Sequence, residues 1–309
     1  MGTPEFAVPS LEILIENKFN VVAVITAPDK PQGRGQKLTP SPVKECALKY
    51  NVPVLQPTNL KLPEFIEELK SYQANLQVVV AFRMLPEIVW SMPSLGTFNL
   101  HASLLPQYRG AAPINWAIIN GEKETGATTF FLKHEIDTGS IIFQEKEPIL
   151  DSDDIGLLYD RLMKKGAQLV LKTVRAIEKG DYPSIVQSSD LEIKHAPKIF
   201  KEMCQINWNQ TSEAVRNFVR GLSPYPGAWA ILNGKVFKIL KCSLPPVDGR
   251  QGTVDSGQST VVSRVGDVWT DDKTYLYIKT SDGWISIDEL QPEGKKKMNI
   301  QEFLRGNKI

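Results

Sequence analysis

The 309-residue sequence contains only three histidines and three cysteines. Cys46, Cys204 and Cys242 are too widely spaced to form a paired metal-ligand motif. Two of them could pair, but their spacing does not outline a disulfide framework. The sequence therefore predicts no metal site, and it favours a reducing, cytoplasmic compartment.

Long apolar runs and a strong net charge are also missing. No run approaches the roughly 20 residues that a membrane-spanning helix needs. The opening residues, MGTPEFAVPS, lack the basic lead and the apolar core of a signal peptide. The formal net charge is +1, divided as −2 over residues 1–199 and +3 over residues 200–309. This asymmetry is too weak to predict a nucleic-acid partner by itself.

The amino-terminal part alternates short apolar runs with segments of helical spacing. Continuous apolar runs separated by helices are typical of parallel strands that are covered on both faces. The pattern predicts an α/β domain with a doubly wound, mostly parallel sheet. The predicted strands are residues 21–26, 77–82, 97–103 and 127–132, and the predicted helices are residues 7–17, 41–50 and 61–72.

The sequence shows no first strand for this sheet, because the run at 21–26 follows the first helix rather than preceding it. In a doubly wound sheet the first strand is central. An empty central slot would leave buried backbone groups unpaired, at about 1–3 kcal/mol each. We therefore expect the functional protein to carry roughly 5–10 further residues before Met1, the length of one ordinary strand.

The character of the sequence changes after a predicted long helix at 153–178. A loose stretch follows, and then short strand-like runs alternate with glycine and aspartate. This pattern predicts a smaller, antiparallel β-barrel of the OB-like kind. The tail KKKMNIQEFLRG is expected to form a closing helix. We place the amino-terminal domain at 1–180, a linker at 181–202 and the barrel at 203–309.

Asn99 and His101 are two residues apart on a predicted strand, so their side chains project from the same face. They lie at the carboxyl end of that strand, the edge where open α/β sheets bind ligands. An amide donor and an imidazole at that edge could stabilise a developing oxyanion. On spacing alone, two ordinary polar residues with satisfied hydrogen bonds are the more common explanation.

Asp137 lies in a turn between two apolar runs, in the segment HEIDTGSII. Aspartate before Thr-Gly is common turn chemistry, because its side chain binds nearby backbone amides. The functional alternative is a carboxylate that faces His101, holds its tautomer and takes a proton from an attacking amine.

Two basic segments could contact phosphate, although solvated surface is the usual explanation for both. One is the proline- and glycine-rich loop TAPDKPQGRGQKLTPSP, which carries Lys30, Arg34 and Lys37. The other is the run of Lys295, Lys296 and Lys297. We interpret Trp229, Trp269 and Trp284 as core residues rather than as base-stacking ones.

Taken together, these segments resemble the folate-dependent formyltransferases, and the likeness runs in order over nearly the whole chain. One such string would be weak evidence, whereas their collinear succession is strong. The matching strings are GTPEFAVPSLE, PDKPQGRGQKL, SPVK, VVVAFRMLP, NLHASLLPQYRGAAPINWAI, ETGATTFFL, IDTG, APKI, INWN, RGLSPYPGAW and LQPEGKKKM.

The resemblance implies roles for individual residues. Asn99, His101 and Asp137 correspond to the family's catalytic residues. Folate would be bound by Ser103, Leu104, Leu105 and Pro106, and by the pocket-lining segment of Phe82, Arg83, Met84 and Leu85. Arg83 and Met84 stand where relatives often have smaller residues. The transfer-RNA acceptor stem would be contacted by the loop that carries Arg34 at its tip, and the tRNA backbone by the carboxy-terminal barrel.

The activity that the resemblance implies is transfer of a formyl group from 10-formyl-tetrahydrofolate to the α-amine of initiator methionyl-tRNA, by a monomer and without a metal. Sugar-amine and glycinamide-ribotide formyltransferases share the amino-terminal chemistry. A hydrolase that passes the formyl group to water and a non-catalytic folate-binding protein are further alternatives. The basic loop and the added barrel favour tRNA, since a small acceptor needs neither.

Overall fold

The computed structural model describes residues 1–32, 37–135, 137–188, 192–245, 263–307 and 309. The helices are Val8–Glu16 (α1), Pro42–Lys49 (α2), Pro63–Ser71 (α3), Glu87–Trp90 (α4), Pro113–Ile119 (α5), Ile155–Lys179 (α6), Ser212–Leu222 (α7) and Ile300–Leu304 (α8), with short 3₁₀ turns at Glu5–Ala7 and Lys201–Cys204.

The strands of the amino-terminal half are Val24–Ile25 (β1), Lys30–Gln32 (β2), Lys37–Thr39 (β3), Val54–Leu55 (β4), Gln77–Val80 (β5), Thr97–His101 (β6), Arg109–Gly110 (β7), Glu124–Phe131 (β8) and Ile141–Pro148 (β9). Those that follow are His195–Ala196 (β10), Ala228–Leu232 (β11), Lys235–Ser243 (β12), Val268–Thr270 (β13), Leu276–Lys279 (β14), Trp284–Pro292 (β15) and Met298–Asn299 (β16).

The chain divides into two interleaved units. One holds residues 1–113, 124–148 and 159–197, and the other holds residues 114–123, 149–158 and 198–309. None of the described helices is long and apolar enough to cross a membrane.

The first unit is built on the sheet β5-β6-β8-β9 and on the parallel pair β1-β4. Strands β5 and β6 are parallel, as the sequence predicts, and the mostly parallel α/β fold is confirmed. Strand β8, the predicted run at 127–132, instead runs antiparallel to β6 and to β9. Thr128 pairs with His101 at the carboxyl end of β6, so β8 begins beside that end and returns along β6 in the opposite direction.

Met1 and Gly2 lie between β1 and β5, in the slot for which the sequence showed no strand. The Gly2 amide donates to the Ile25 carbonyl at 3.1 Å, and the Val80 amide donates to the Met1 carbonyl at 2.9 Å. The terminal ammonium donates to the Val78 carbonyl at 2.7 Å. These two residues therefore pair with both neighbouring strands.

The predicted long helix is confirmed as α6. The Asp154 carboxylate accepts from the Leu157 amide at 2.9 Å and caps the first turn. The helix ends at Gly180, which takes the left-handed φ of 68° that terminates many helices. Its apolar stripe, including Leu162 and Val170, is buried, and Thr173 of this helix hydrogen-bonds to Thr129 of β8 at 2.8 Å.

The second unit contains an antiparallel sheet in the order β11-β12-β15-β14-β13, with β16 paired to β15. Buried and half-exposed residues alternate along β14 and β15, so that Leu276, Ile278, Ile285 and Ile287 face one core. The predicted closing helix is α8, which begins with an Asn299 capping box. One of the predicted strand-like runs, GTVDS at 252–256, lies outside the part of the chain that the structure describes.

The interpretation of the tryptophans as core residues holds for Trp229, which packs against this core. It is wrong for Trp269, which is 42% exposed, and for Trp284, which is half-buried outside this core. Trp269 makes edge-to-face contacts with Tyr277 and Trp284 at 5.6 and 5.7 Å on the other face of the sheet. Because strand residues alternate between faces, Tyr277 and Trp284 point away from the core that Ile278 and Ile285 fill.

Candidate active site

Strand β6 presents Asn99 and His101 together at its carboxyl edge. The intervening Leu100 and the preceding Phe98 are buried on the opposite face, and this fixes which face carries the polar pair. His101 is only 6% exposed, and Asn99 is half-buried. The Asn99 side chain has no hydrogen-bond partner in the described ranges of the chain, so its amide is available to a ligand.

The orientation of His101 is set by a backbone carbonyl. The Nε2 atom lies 2.8 Å from the Tyr108 carbonyl oxygen, which can only accept, so Nε2 carries the proton and donates. Tyr108 is itself buried, and its amide donates to the Lys194 carbonyl at 2.6 Å. With Nε2 committed to this bond, Nδ1 is the ring nitrogen left for chemistry.

Asp137 faces that nitrogen, with Oδ2 at 3.9 Å from Nδ1 of His101. The separation is longer than a hydrogen bond but close enough for an ion pair when the ring is protonated. Oδ2 accepts a hydrogen bond from the Gly110 amide at 3.1 Å. The role expected for Asp137 in holding the His101 tautomer therefore belongs to the Tyr108 carbonyl, since Nε2 is bound there.

The loop after His101 is fixed by one buried hydroxyl. Thr128 Oγ1 donates to the Ser103 carbonyl at 2.6 Å and accepts from the Leu105 amide at 3.1 Å. Gln144 Nε2 donates to Thr128 Oγ1 at 3.0 Å and to the Leu105 carbonyl at 2.9 Å. Ser103 Oγ also donates to the Gln107 carbonyl at 2.6 Å. The segment that contains Leu104 and Pro106 is thus held by strands β8 and β9.

The segment of Phe82, Arg83, Met84 and Leu85 follows β5 at the same edge. Met84 is 71% exposed, Phe82 is half-buried, and Leu85 is buried. Arg83 turns back over the chain, where its guanidinium donates to the carbonyls of Pro57 and Thr58. This arginine therefore ties two loops together, an arrangement that a smaller residue could not make.

Of the predicted tRNA contacts, Arg34 lies outside the described residues, as does the side chain of Lys37. Lys30 is exposed on the hairpin of β2 and β3, which leads to that loop. Lys295, Lys296 and Lys297 are also exposed, and Lys297 Nζ lies 3.4 Å from a Glu289 carboxylate oxygen.

The site combines an amide donor, an imidazole and a carboxylate at one sheet edge. Such a set can polarise an acyl oxygen and move a proton from an incoming nucleophile. Sequence reasoning did not find the Tyr108 carbonyl, the Gly110 amide or the hydroxyl of Thr128. Thr128 is one of three threonines in β8, so the sequence did not single it out. No metal-binding group of three or more histidine, cysteine or acidic residues occurs among the residues described.

Comparison with known families adds independent information. Residues 1–174 match the family model described as formyl transferase, and residues 198–308 match the model of the formyl transferase carboxy-terminal domain. Methionyl-tRNA formyltransferase from Bacteroides fragilis is 52% identical over 99% of this chain and 93% of its own length. The enzyme of that name from Phocaeicola vulgatus is 54% identical over 99% of this chain and 94% of its own length.

Solved structures share the fold at lower identity. WlaRD, a sugar 3N-formyl transferase solved in the presence of dTDP and 5-N-formyl-THF, superposes with a TM-score of 0.65 at 23% identity, over 96% of this chain and 97% of that one. HypX from Aquifex aeolicus, solved in complex with tetrahydrofolic acid, has a TM-score of 0.57 at 21% identity, over 83% of this chain and 43% of that one.

Proposed function

Since this chain belongs to the formyl transferase family, we propose that it transfers the formyl group of 10-formyl-tetrahydrofolate to the α-amine of initiator methionyl-tRNA. The observation that carries the proposal is the juxtaposition of Asn99, His101 and Asp137 at one sheet edge. The chain that holds them is 52–54% identical in sequence to two methionyl-tRNA formyltransferases. Residues 1–180 serve as the catalytic, folate-binding domain, 181–202 as the linker and 203–309 as the tRNA-binding domain of a cytoplasmic monomer.

The unpartnered amide of Asn99 fits a formyl oxygen as its ligand. A buried donor aimed at the position where negative charge develops contributes about 2.7–4 kcal/mol of transition-state stabilisation. His101 adds a second donor through Nδ1 when the ring is protonated, because Nε2 is held by the Tyr108 carbonyl. These two donors stabilise the oxyanion that develops while the amine nitrogen bonds to the formyl carbon.

We assign proton transfer to Asp137. The attacking amine must lose a proton as its bond to carbon forms, and the leaving N10 of the folate must gain one as its bond to carbon breaks. A carboxylate facing Nδ1 of His101 at 3.9 Å can take the proton of the amine, stabilise the imidazolium and then pass the proton to N10. The products are formylmethionyl-tRNA and tetrahydrofolate, and no proton or electron is left over.

We assign folate binding to the two segments that flank β6. Ser103, Leu104, Leu105 and Pro106 form one wall, whose shape is set by the Thr128 hydroxyl. Phe82, Arg83, Met84 and Leu85 form the other. The exposed apolar surface of Met84 and the half-buried ring of Phe82 suit a flat, partly apolar heterocycle.

Contacts with tRNA are assigned to Arg34, Lys30 and Lys37 on the amino-terminal loop and to Lys295, Lys296 and Lys297 near the carboxyl end. All are cations suited to phosphate, and Lys30 and the three carboxy-terminal lysines are exposed. The contribution of Lys297 is reduced by its ion pair with Glu289, which must open before a phosphate can bind.

The test compares acceptors. The purified chain is incubated with 10-formyl-tetrahydrofolate and one of three acceptors: methionyl initiator tRNA, a dTDP-linked amino sugar, or water alone. We expect formylmethionyl-tRNA to form far faster than formyl sugar or free formate. Faster formylation of the amino sugar would assign the chain to small-molecule chemistry, and formate release without any acceptor would make it a hydrolase.

A further inference from the structure

A surface segment that follows α6 forms hydrogen bonds to the loops of the active site. We call it the strap and define it as residues 185–188 and 192–196. Its first part pairs with the start of β9, where the amides of Ile185 and Ile141 donate to each other's carbonyls at 2.9 and 2.8 Å. Its last part accepts from the Tyr108 amide through Lys194, and from the Ala111 amide through Ala196 at 2.8 Å.

Gln187 is the middle contact of the strap, and its side chain binds the Asp137 turn. Its Nε2 donates to the carbonyls of Asp137 and Gly139, at 2.7 and 2.8 Å. Its Oε1 accepts from Nε and Nη2 of Arg109, at 3.2 and 2.6 Å. Both amide hydrogens and the carbonyl oxygen are therefore committed, which leaves the side chain one orientation.

The turn that Gln187 holds has a conformation that requires support. Asp137 has a φ of 57°, in the left-handed region that a non-glycine residue adopts at some energetic cost. Gly139 lies so close to β8 that an added Cβ would stand 1.5 Å from the Phe131 carbonyl oxygen. The backbone of Gly139 thus lies directly against β8, and the carbonyls of Asp137 and Gly139 both accept from Gln187.

These contacts close a ring. Arg109 holds Gln187, Gln187 holds the backbone of Asp137, and the Asp137 carboxylate returns to the Gly110 amide, next to Arg109. The position of the carboxylate opposite His101 therefore depends on a residue distant in sequence and outside the family strings that suggest the site.

We propose that Gln187 is a positioning residue that sets the carboxylate of Asp137 against His101, with Arg109 acting through it. This inference rests on the proposed function only for its kinetic consequence. Displacing a catalytic group by about 1 Å can slow a reaction by about 10²-fold, so we expect loss of the Gln187 amide to lower kcat by at least about 10-fold.

The experiment compares Gln187→Met, which keeps the length and removes both polar atoms, with Gln168→Met on the exposed face of α6. Formylation of methionyl initiator tRNA should fall in kcat for Gln187→Met, while the KM for the folate substrate stays within about twofold and the protein remains folded at the assay temperature. Gln168→Met should match the parent throughout. Arg109→Met should add little to Gln187→Met in the double variant, because both break one ring.

A second measurement is independent of activity. The Gly110 amide donates to Asp137, so its hydrogen exchange, followed by NMR in glycine-labelled protein, reports the position of the carboxylate. Exchange at Gly110 should be at least about 10-fold faster in Gln187→Met than in the parent. A folded Gln187→Met protein with parental kcat and parental Gly110 exchange would overturn the inference. A double variant whose loss of kcat equals the product of the losses in Arg109→Met and Gln187→Met would overturn it as well. If the parent itself fails to formylate tRNA, the proposed function is wrong and the exchange at Gly110 alone decides the inference.

Discussion

Thr128→Val tests how the loop that follows His101 is held. Thr128 is completely buried, and valine has nearly its shape. The substitution removes the donor to the Ser103 carbonyl and the acceptor of the Leu105 amide, while Gln144 keeps its second bond to the Leu105 carbonyl. Two buried backbone groups are then left without partners. At about 1–3 kcal/mol for each, the expected loss of unfolding free energy is about 2–6 kcal/mol.

The matched control is Thr125→Val, on the same strand. Thr125 is also buried, but its hydroxyl has no hydrogen-bond partner. Valine there removes an unsatisfied polar group, so the free energy of unfolding should stay unchanged or rise by about 1 kcal/mol.

The assay is chemical and thermal denaturation of the parent and both variants. At roughly 2–4 °C for each kcal/mol in a domain of this size, Thr128→Val should lower the Tm by at least about 4 °C. Folate affinity should fall as well, since the loop forms the proposed binding wall. If both variants lose the same stability, or if Thr128→Val stays within about 0.5 kcal/mol of the parent, the hydroxyl does not hold the loop.

Three further predictions concern chemistry, pH and tRNA. His101→Ala and Asp137→Asn should each lower kcat by about 10²-fold at nearly unchanged folate affinity; near-normal turnover of both would remove them from the site. Burial raises the pKa of Glu147, but hydrogen bonds from its two cationic partners outweigh this and leave the pKa below its usual range. Glu147→Gln should therefore lose stability at neutral pH, and the loss should vanish as the pH falls through that depressed pKa; a loss that does not change with pH contradicts the ion-pair explanation. Arg34→Ala should raise the KM for tRNA with little effect on folate affinity. Unchanged kcat and KM values for tRNA would exclude the loop from substrate binding.

Much of the fold could be predicted because its signals are local. The two-residue period of β6 predicted that Asn99 and His101 share a face, and an acidic cap and a terminal glycine marked the ends of α6. The direction of β8 could not be predicted in this way. A strand has the same composition in either direction, and its pairing depends on residues distant in sequence.

The contacts that position His101 and Asp137 were harder to predict from sequence, because they involve backbone atoms. Any residue offers the carbonyl that Tyr108 gives to His101 and the amide that Gly110 gives to Asp137. Gln187 lies in a stretch without periodicity or a recognisable motif, and only the folded chain brings its side chain to the Asp137 turn. A composition-based interpretation of Trp269 failed for a related reason, since a large aromatic residue does not indicate which face of a strand it occupies.

We propose that Asn99 directly assists formyl transfer to methionyl initiator tRNA. The most direct measurement is single-turnover formation of formylmethionyl-tRNA, with the protein in excess over charged tRNA and with saturating 10-formyl-tetrahydrofolate. The parent should convert the charged tRNA completely, and Asn99→Ala should do so with a rate constant about 10²-fold lower, the cost of one oxyanion donor. No formylmethionyl-tRNA from the parent, or equal rate constants for the parent and Asn99→Ala, would contradict the claim.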